Sequence, residues 1–157
     1  MNKIKVEKLT EESFALFGNI LTTEGRDYLG EEGVYKWYEN QSSVMNSEVV
    51  SINLLTALER DFVCQRFESH KLTTETILPL TGDLIVAGIP PGEVTPNRLR
   101  AFYIPVGMGV SWAAGVWHYA PYPIGRDATC AIIFRHGTGG DDVEFADLPT
   151  SIGLFYE

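Results

Sequence analysis

What most constrains this chain is its punctuation. Short runs of β-branched and aromatic residues recur along it, and Gly, Pro, Asn or Asp interrupts them every few positions. Eight runs read as strands: Val34 to Tyr38, Glu48 to Leu54, Asp61 to Glu68, Thr74 to Pro79, Asp83 to Ile89, Arg100 to Val106, Val110 to Ala113 and Ala128 to Arg135. No sustained 3.6-residue period lies between them, so parallel strands joined by helices are disfavoured. An all-β, mainly antiparallel sandwich or barrel is expected. One short helix is expected near the N-terminus, over Thr10 to Gly18. There Thr10 can cap, Glu11 and Glu12 face the positive helix end, and Gly18 stops the turn. The tail from Gly137 onward reads as an ordered loop. It ends in an apolar patch, Ile152 to Tyr156, suited to docking on the body or on a second subunit.

At 157 residues the chain suits one domain spanning 1–157, with a core that needs no disulfide or metal staple. Cys64 and Cys130 form no paired motif and read as buried, reduced thiols. With the charged, leaderless start Met1 to Phe14, they predict a cytoplasmic protein. The uncharged window Ala101 to Gly125 has the length of a membrane span, but Pro105, Pro121, Pro123 and several glycines make it strands and turns. No membrane partner is expected. Twelve Lys and Arg against 21 Asp and Glu give a formal charge of −9, which repels nucleic-acid phosphate.

Only three histidines are present, and two stand in informative places. In Glu68-Ser69-His70 the acid and the imidazole lie two apart, on one face of a strand, and Glu75 lies on the returning chain. Carboxylates with imidazole make a mixed nitrogen and oxygen set suited to divalent Mn, Fe, Ni or Zn. The same carboxylates can instead transfer protons if burial shifts their pKa values apart.

The spacing resembles the two motifs of the cupin superfamily. His70, Glu75 and Gly82 fall on places of the first motif, with Glu68 where its first His stands. Gly107, Gly115 and His118 fall on places of the second. Glu68, His70, Glu75 and His118 are therefore the candidate metal ligands, and the resemblance implies a jelly-roll barrel.

Over nearly its whole length the chain also resembles the ureidoglycolate lyases. The segments that carry this are Leu9 to Asn19, Ser51-Ile52-Asn53, Glu68-Ser69-His70, Pro79 with Gly82, Arg100-Ala101-Phe102, Gly109-Val110, Val116-Trp117-His118 and Asp142-Val143-Glu144. The resemblance implies cleavage of ureidoglycolate to glyoxylate and urea, in the recovery of purine nitrogen through allantoin, by a homodimer. Four residues at three places depart from the family pattern. Trp112-Ala113 stands where Tyr-His is common, Thr81 where Lys is common, and Glu75 where Gln is common.

Such a reaction needs a base for the carbinol hydroxyl, an acid for the leaving urea, and a cation for the substrate carboxylate. His118, Glu68 and His70 are the candidate catalytic groups, since imidazole titrates nearest neutral pH. Arg100 and Arg135, both on expected strands, are candidate carboxylate anchors through the planar guanidinium fork. Ser51 and Asn53 are placed to bind the urea end. Trp117, with Trp112, Tyr119 and Tyr122, would wall the pocket. Two other readings stay open: a non-catalytic cupin that binds small acids, and a metal-dependent cupin enzyme of isomerase type.

Overall fold

The computed structural model describes residues 1–28, 36–45 and 47–157. Among these residues, twelve strands and two single-turn helices follow one another in the order β1 (Lys3–Lys8), α1 (Glu11–Phe14), β2 (Gly18–Leu21), β3 (Val50–Ala57), β4 (Val63–Ser69), β5 (Glu75–Pro79), β6 (Leu84–Ile89), β7 (Arg100–Ile104), β8 (Gly109–Trp112), β9 (Trp117–His118), β10 (Tyr122–Pro123), β11 (Ala128–Arg135), α2 (Thr138–Asp141) and β12 (Glu144–Phe155). They build a cupin-like jelly-roll barrel of two sheets. One runs β10-β6-β7-β1-β12-β4-β9 and is drawn closed by β9, which pairs with both β4 and β6. The other runs β2-β8-β5-β11-β3. Pairing is antiparallel except where β1 lies parallel to β7 and β12.

Two cores result from the strand alternation. On β6, Leu84 and Val86 face the space between the sheets, where they meet Phe14, Phe17, Ile77, Phe102 and Trp112. Ile85, Ala87 and Ile89 face the other way, into a second core with Phe67, Trp117, Leu148 and Ile152. Burial on both faces explains why β6 reads as an unbroken apolar run.

Two expectations are corrected, and a third is met only in part by the described residues. The N-terminal helix is one turn, closed at its start by a reciprocal capping box between Thr10 and Ser13. It stops early because Phe14 and Phe17 must both enter the core, and Gly18 already opens β2. Gly18 sits at φ +146°, where a Cβ would lie 1.9 Å from the Ser111 carbonyl oxygen, so the chain enters β2 only with glycine there. The tail is no loop but the longest strand, β12, paired with β4 on one side and β1 on the other. Its apolar end, Ile152 and Leu154, docks on the body of the same chain. Of the expected strand Val34 to Tyr38, residues 34 and 35 lie outside the described residues. Residues 36–38 form only an isolated bridge at Trp37.

Candidate active site

The site assembles where β4 and β9 of one sheet approach β5 and β11 of the other. On β4, Phe67 turns into the second core while Glu68 turns toward the space between the sheets. Glu68 is paired in register with His118 of β9. His70 follows directly after β4, and its carbonyl accepts from the Gly115 N–H at 2.7 Å. The chain then turns back, so that Glu75, the first residue of β5, arrives beside both imidazoles.

Glu75 Oε2 lies 3.0 Å from His70 Nε2 and 3.4 Å from His118 Nε2. Glu68 Oε1 stands farther off, 4.0 Å from each. One donor atom from each of the four residues falls within 4.8 Å of every other. His70, Glu75 and His118 are buried, whereas the Glu68 side chain is 26% exposed at the lip.

The histidine orientations are set from behind. A carbonyl oxygen can only accept, so His70 Nδ1 must donate to the Asp142 carbonyl, 2.7 Å away. By the same reasoning His118 Nδ1 donates to the Val116 carbonyl at 3.2 Å. Both rings therefore turn Nε2 toward Glu75. The His118 ring also lies flat on Trp112, with centroids 5.5 Å apart and planes 13° apart.

Burial opposes charge on Glu75, but His118 and His70 overcome it and hold its carboxyl down to about 2. Burial likewise pulls His70 down, and the hydrogen bonds to Glu75 and Asp142 with the nearby carboxylates push it up to about 9. Glu68 is raised, chiefly by burial, with neighbouring Glu75 adding to the effect and the two histidines opposing it.

The residues fit a divalent metal ion. Among the described residues His118 Nε2 is buried without a hydrogen-bond partner, and it converges with His70 Nε2 and the Glu75 carboxylate. Two imidazoles and one carboxylate make a donor set such ions take, and each imidazole is held through its other nitrogen by a backbone carbonyl, as metal-binding histidines commonly are. Glu68 would complete the set or remain free beside it.

A cavity of about 320 Å³ opens over this cluster. Glu68 and Glu75 form its polar floor, Asn53 adds an amide, and Leu55, Tyr119, Pro121, Ile132 and Phe134 make apolar walls. A larger cavity of about 630 Å³ beside α1 is lined by Glu11, Arg26 and Gln41 but by no histidine. Chemistry, not size, marks the site.

The sequence-derived candidates divide accordingly. Glu68, His70, Glu75 and His118 come together, and Asn53 and Tyr119 reach the cavity. Ser51 stays behind Asn53, donating to its side-chain oxygen at 3.0 Å, while the Asn53 amide donates to the Ile132 carbonyl. Trp117 points into the second core and donates to the Gly92 carbonyl. Tyr122 lies in that core too. Arg100 is held by Glu7 at 2.5 and 2.7 Å, away from the cavity. Arg135 is paired with Asp141 beside α2. None of the described residues lining the cavity is Lys or Arg, and the sequence at 29–35 and 46 includes neither.

Sequence reasoning missed the walls Leu55, Ile132 and Phe134, although the alternation of β3 and β11 could have shown them. It also missed Asp142 behind His70. The signal there was only its place in the resembling segment Asp142-Val143-Glu144.

Comparison with known proteins adds independent information. The family model described as ureidoglycolate lyase matches residues 1–153. A ureidoglycolate lyase of Pseudomonas paraeruginosa is 31% identical over 149 residues, covering 90% of this chain and 88% of its own. One from Stutzerimonas stutzeri is 31% identical over 153 residues, covering 92% and 90%. Among solved structures, a variant of Bacillus subtilis oxalate decarboxylase aligns at TM-score 0.44 and 16% identity, over 62% of this chain and 23% of its own. With nearly the whole chain matched by one family model and by full-length relatives, the chain belongs to the ureidoglycolate lyase family.

Proposed function

We propose that this chain is a lyase that cleaves ureidoglycolate to glyoxylate and urea. The observation that carries the reading, beside family membership, is the buried convergence of His70, Glu75 and His118 under a cavity with Glu68 at its lip. The reaction breaks one C–N bond and moves one proton. The hydroxyl of the substrate loses its proton, its electron pair forms the aldehyde C=O, and the urea nitrogen leaves with a proton. One group that first accepts and then donates suffices.

Glu68 is that group. It is the partly exposed member of the cluster, and it stands 4.0 Å from both imidazoles where Glu75 is close to each. Its raised pKa suits a carboxyl that must release as well as take a proton. His70, Glu75 and His118 would hold the metal. A divalent ion there, Mn, Fe, Ni or Zn by the donor set, would neutralise the substrate carboxylate and acidify the adjacent hydroxyl. That charge is needed because Arg100 and Arg135 are engaged elsewhere and the floor is acidic. Asn53 and the apolar walls confine the ureido end and exclude water.

The protein acts as one domain over residues 1–157, in the cytoplasm, on a small anionic molecule, with neither nucleic acid nor membrane as partner. It serves allantoin-derived purine breakdown as a homodimer. Supporting the last point, Ile52 and Leu54 on the outer face of β3 are 76% and 73% exposed, with Val50 beside them. Light scattering of Ile52→Glu would read a monomer where the parent is a dimer.

The deciding experiment is glyoxylate release from ureidoglycolate by purified protein, after chelation and with Mn, Ni or Zn restored. Release that chelation abolishes and a metal restores is expected. No release above the uncatalysed rate with any metal would overturn the proposal.

A further inference from the structure

Asp142 is joined to the site twice, by its main chain and by its side chain. Its carbonyl accepts the His70 Nδ1–H at 2.7 Å. Its carboxylate accepts the backbone N–H groups of Lys71 at 2.8 Å and Leu72 at 2.9 Å, the two residues directly after His70. A capping aspartate that merely closed a turn would need only the two bonds to its carboxylate. Here the same residue grips both the ring of His70 and the backbone that carries it.

Asp142 is itself held. Its N–H donates to the Thr138 carbonyl at 3.0 Å, and Thr138 is fully buried with its hydroxyl on the Arg135 carbonyl at 2.6 Å. The ion pair between Arg135 and Asp141 pins the same turn. The imidazole is thus tied to the hydrogen-bonded turn that follows β11, although His70 itself follows β4 outside any strand.

We propose that Asp142 is a positioning residue for His70, fixing which ring nitrogen faces Glu75 and the angle at which it does so. The proposal rests on the reading of His70 as part of the active site. Arg135, expected from sequence to anchor a substrate, serves in this arrangement as a support of the Asp142 turn. The ring cannot flip without breaking the bond to the Asp142 carbonyl. Without the carboxylate, the turn that presents the carbonyl and the turn that carries His70 are no longer locked together. Partners of this kind behind a metal-ligating histidine change metal affinity by roughly 10- to 100-fold.

The test uses full-length protein and two readouts. The first is proton exchange of the His70 Nδ1–H, seen by NMR and assigned by its absence in His70→Gln. The second is affinity for Mn(II) alone, by calorimetry or electron paramagnetic resonance. Asp142→Ala is expected to speed the exchange at least about tenfold and to weaken Mn(II) by about 10- to 100-fold. Asp142→Asn, which keeps one acceptor oxygen, should fall between and should rescue folding if the alanine variant fails to fold. Exchange that is unchanged in a folded variant overturns the proposal, as does Mn(II) affinity within twofold of the parent. If the parent binds no Mn(II), the exchange readout decides alone. That readout needs neither substrate nor turnover, so failure of the lyase reading would show separately, as parent protein inactive on ureidoglycolate.

Discussion

Trp112 and His118 stack with centroids 5.5 Å apart, and the space for that stack is left by Gly88 on the neighbouring strand. A Cβ at Gly88 would stand 2.9 Å from the Trp112 ring and 3.1 Å from the Trp117 carbonyl oxygen. Gly88→Ala should therefore push the indole and tilt His118. Overpacking of this kind costs about 1–3 kcal/mol. Thermal denaturation should show a lower Tm, and glyoxylate release should fall by more than the loss of folded protein explains. Unchanged stability would mean that the strands spread freely at this point.

The metal-free protein should have a stability window set by His70 and Glu75. His70 is raised from 6.5 to about 9, so its contribution is full below about pH 6.5 and is lost as pH rises through 9. Glu75 is lowered from 4.5 to about 2, so its contribution is full above about pH 4.5 and is lost as pH falls toward 2. Both are complete between these limits. Urea denaturation in the presence of a chelator should give its highest midpoint there, and His70→Gln should flatten the alkaline side. An alkaline limb equally steep in that variant would assign the loss to other groups.

The cluster was legible in sequence because the spacing of Glu68, His70, Glu75 and His118 resembles that of the two cupin motifs, and β4 with the residue after it, β5 and β9 bring the four side chains together. The central strands were legible because β-branched and aromatic residues fill them. Strand β12 was not: it carries Pro149, Gly153 and acids, and its extended form comes from pairing with β4 and β1, which lie far away in sequence. Charges hid β1 in the same way, since Lys3, Lys5, Glu7 and Lys8 outnumber its apolar residues. The arginines could not be assigned from position. The partner of Arg100 is Glu7, 93 residues away, and only the parallel pairing of β1 with β7 brings them together.

That pairing has a kinetic consequence. Arg100 is held by Glu7 and lies over the Phe17 and Phe102 rings, outside the cavity. Arg100→Gln should leave KM for ureidoglycolate within about twofold of the parent. Its cost should be about 1 kcal/mol or less, as for partly solvated ion pairs. A tenfold rise in KM at unchanged kcat would instead make Arg100 a substrate anchor.

Metal uptake should release protons. His70 is protonated at neutral pH in the metal-free site, since its pKa is raised to about 9, and Nε2 can ligate only after losing that proton. Calorimetric titration with Zn(II) at pH 7 should show a heat that varies with the ionisation enthalpy of the buffer, consistent with about one proton released. Apparent affinity should climb with pH up to about 9 and then level off. A heat independent of the buffer would mean that His70 does not bind the ion through Nε2.

Glu68 and Glu75 carry the same functional group, and geometry separates them. Glu75 touches both imidazoles from a buried position, while Glu68 stands 4.0 Å off and is partly exposed. Glu75→Gln removes the charge that balances the cluster, so the ion should bind at least tenfold more weakly and the folded state should lose stability. Glu68→Gln keeps the size of the side chain but cannot take a proton. Metal affinity should then stay within a few-fold of the parent, while kcat should fall about 10²- to 10⁴-fold, the span of general acid–base catalysis. KM should change little, because the proton moves only in the transition state. If Glu68→Gln instead loses the ion and keeps its residual turnover on added metal, Glu68 is a ligand and the proton is carried by another group.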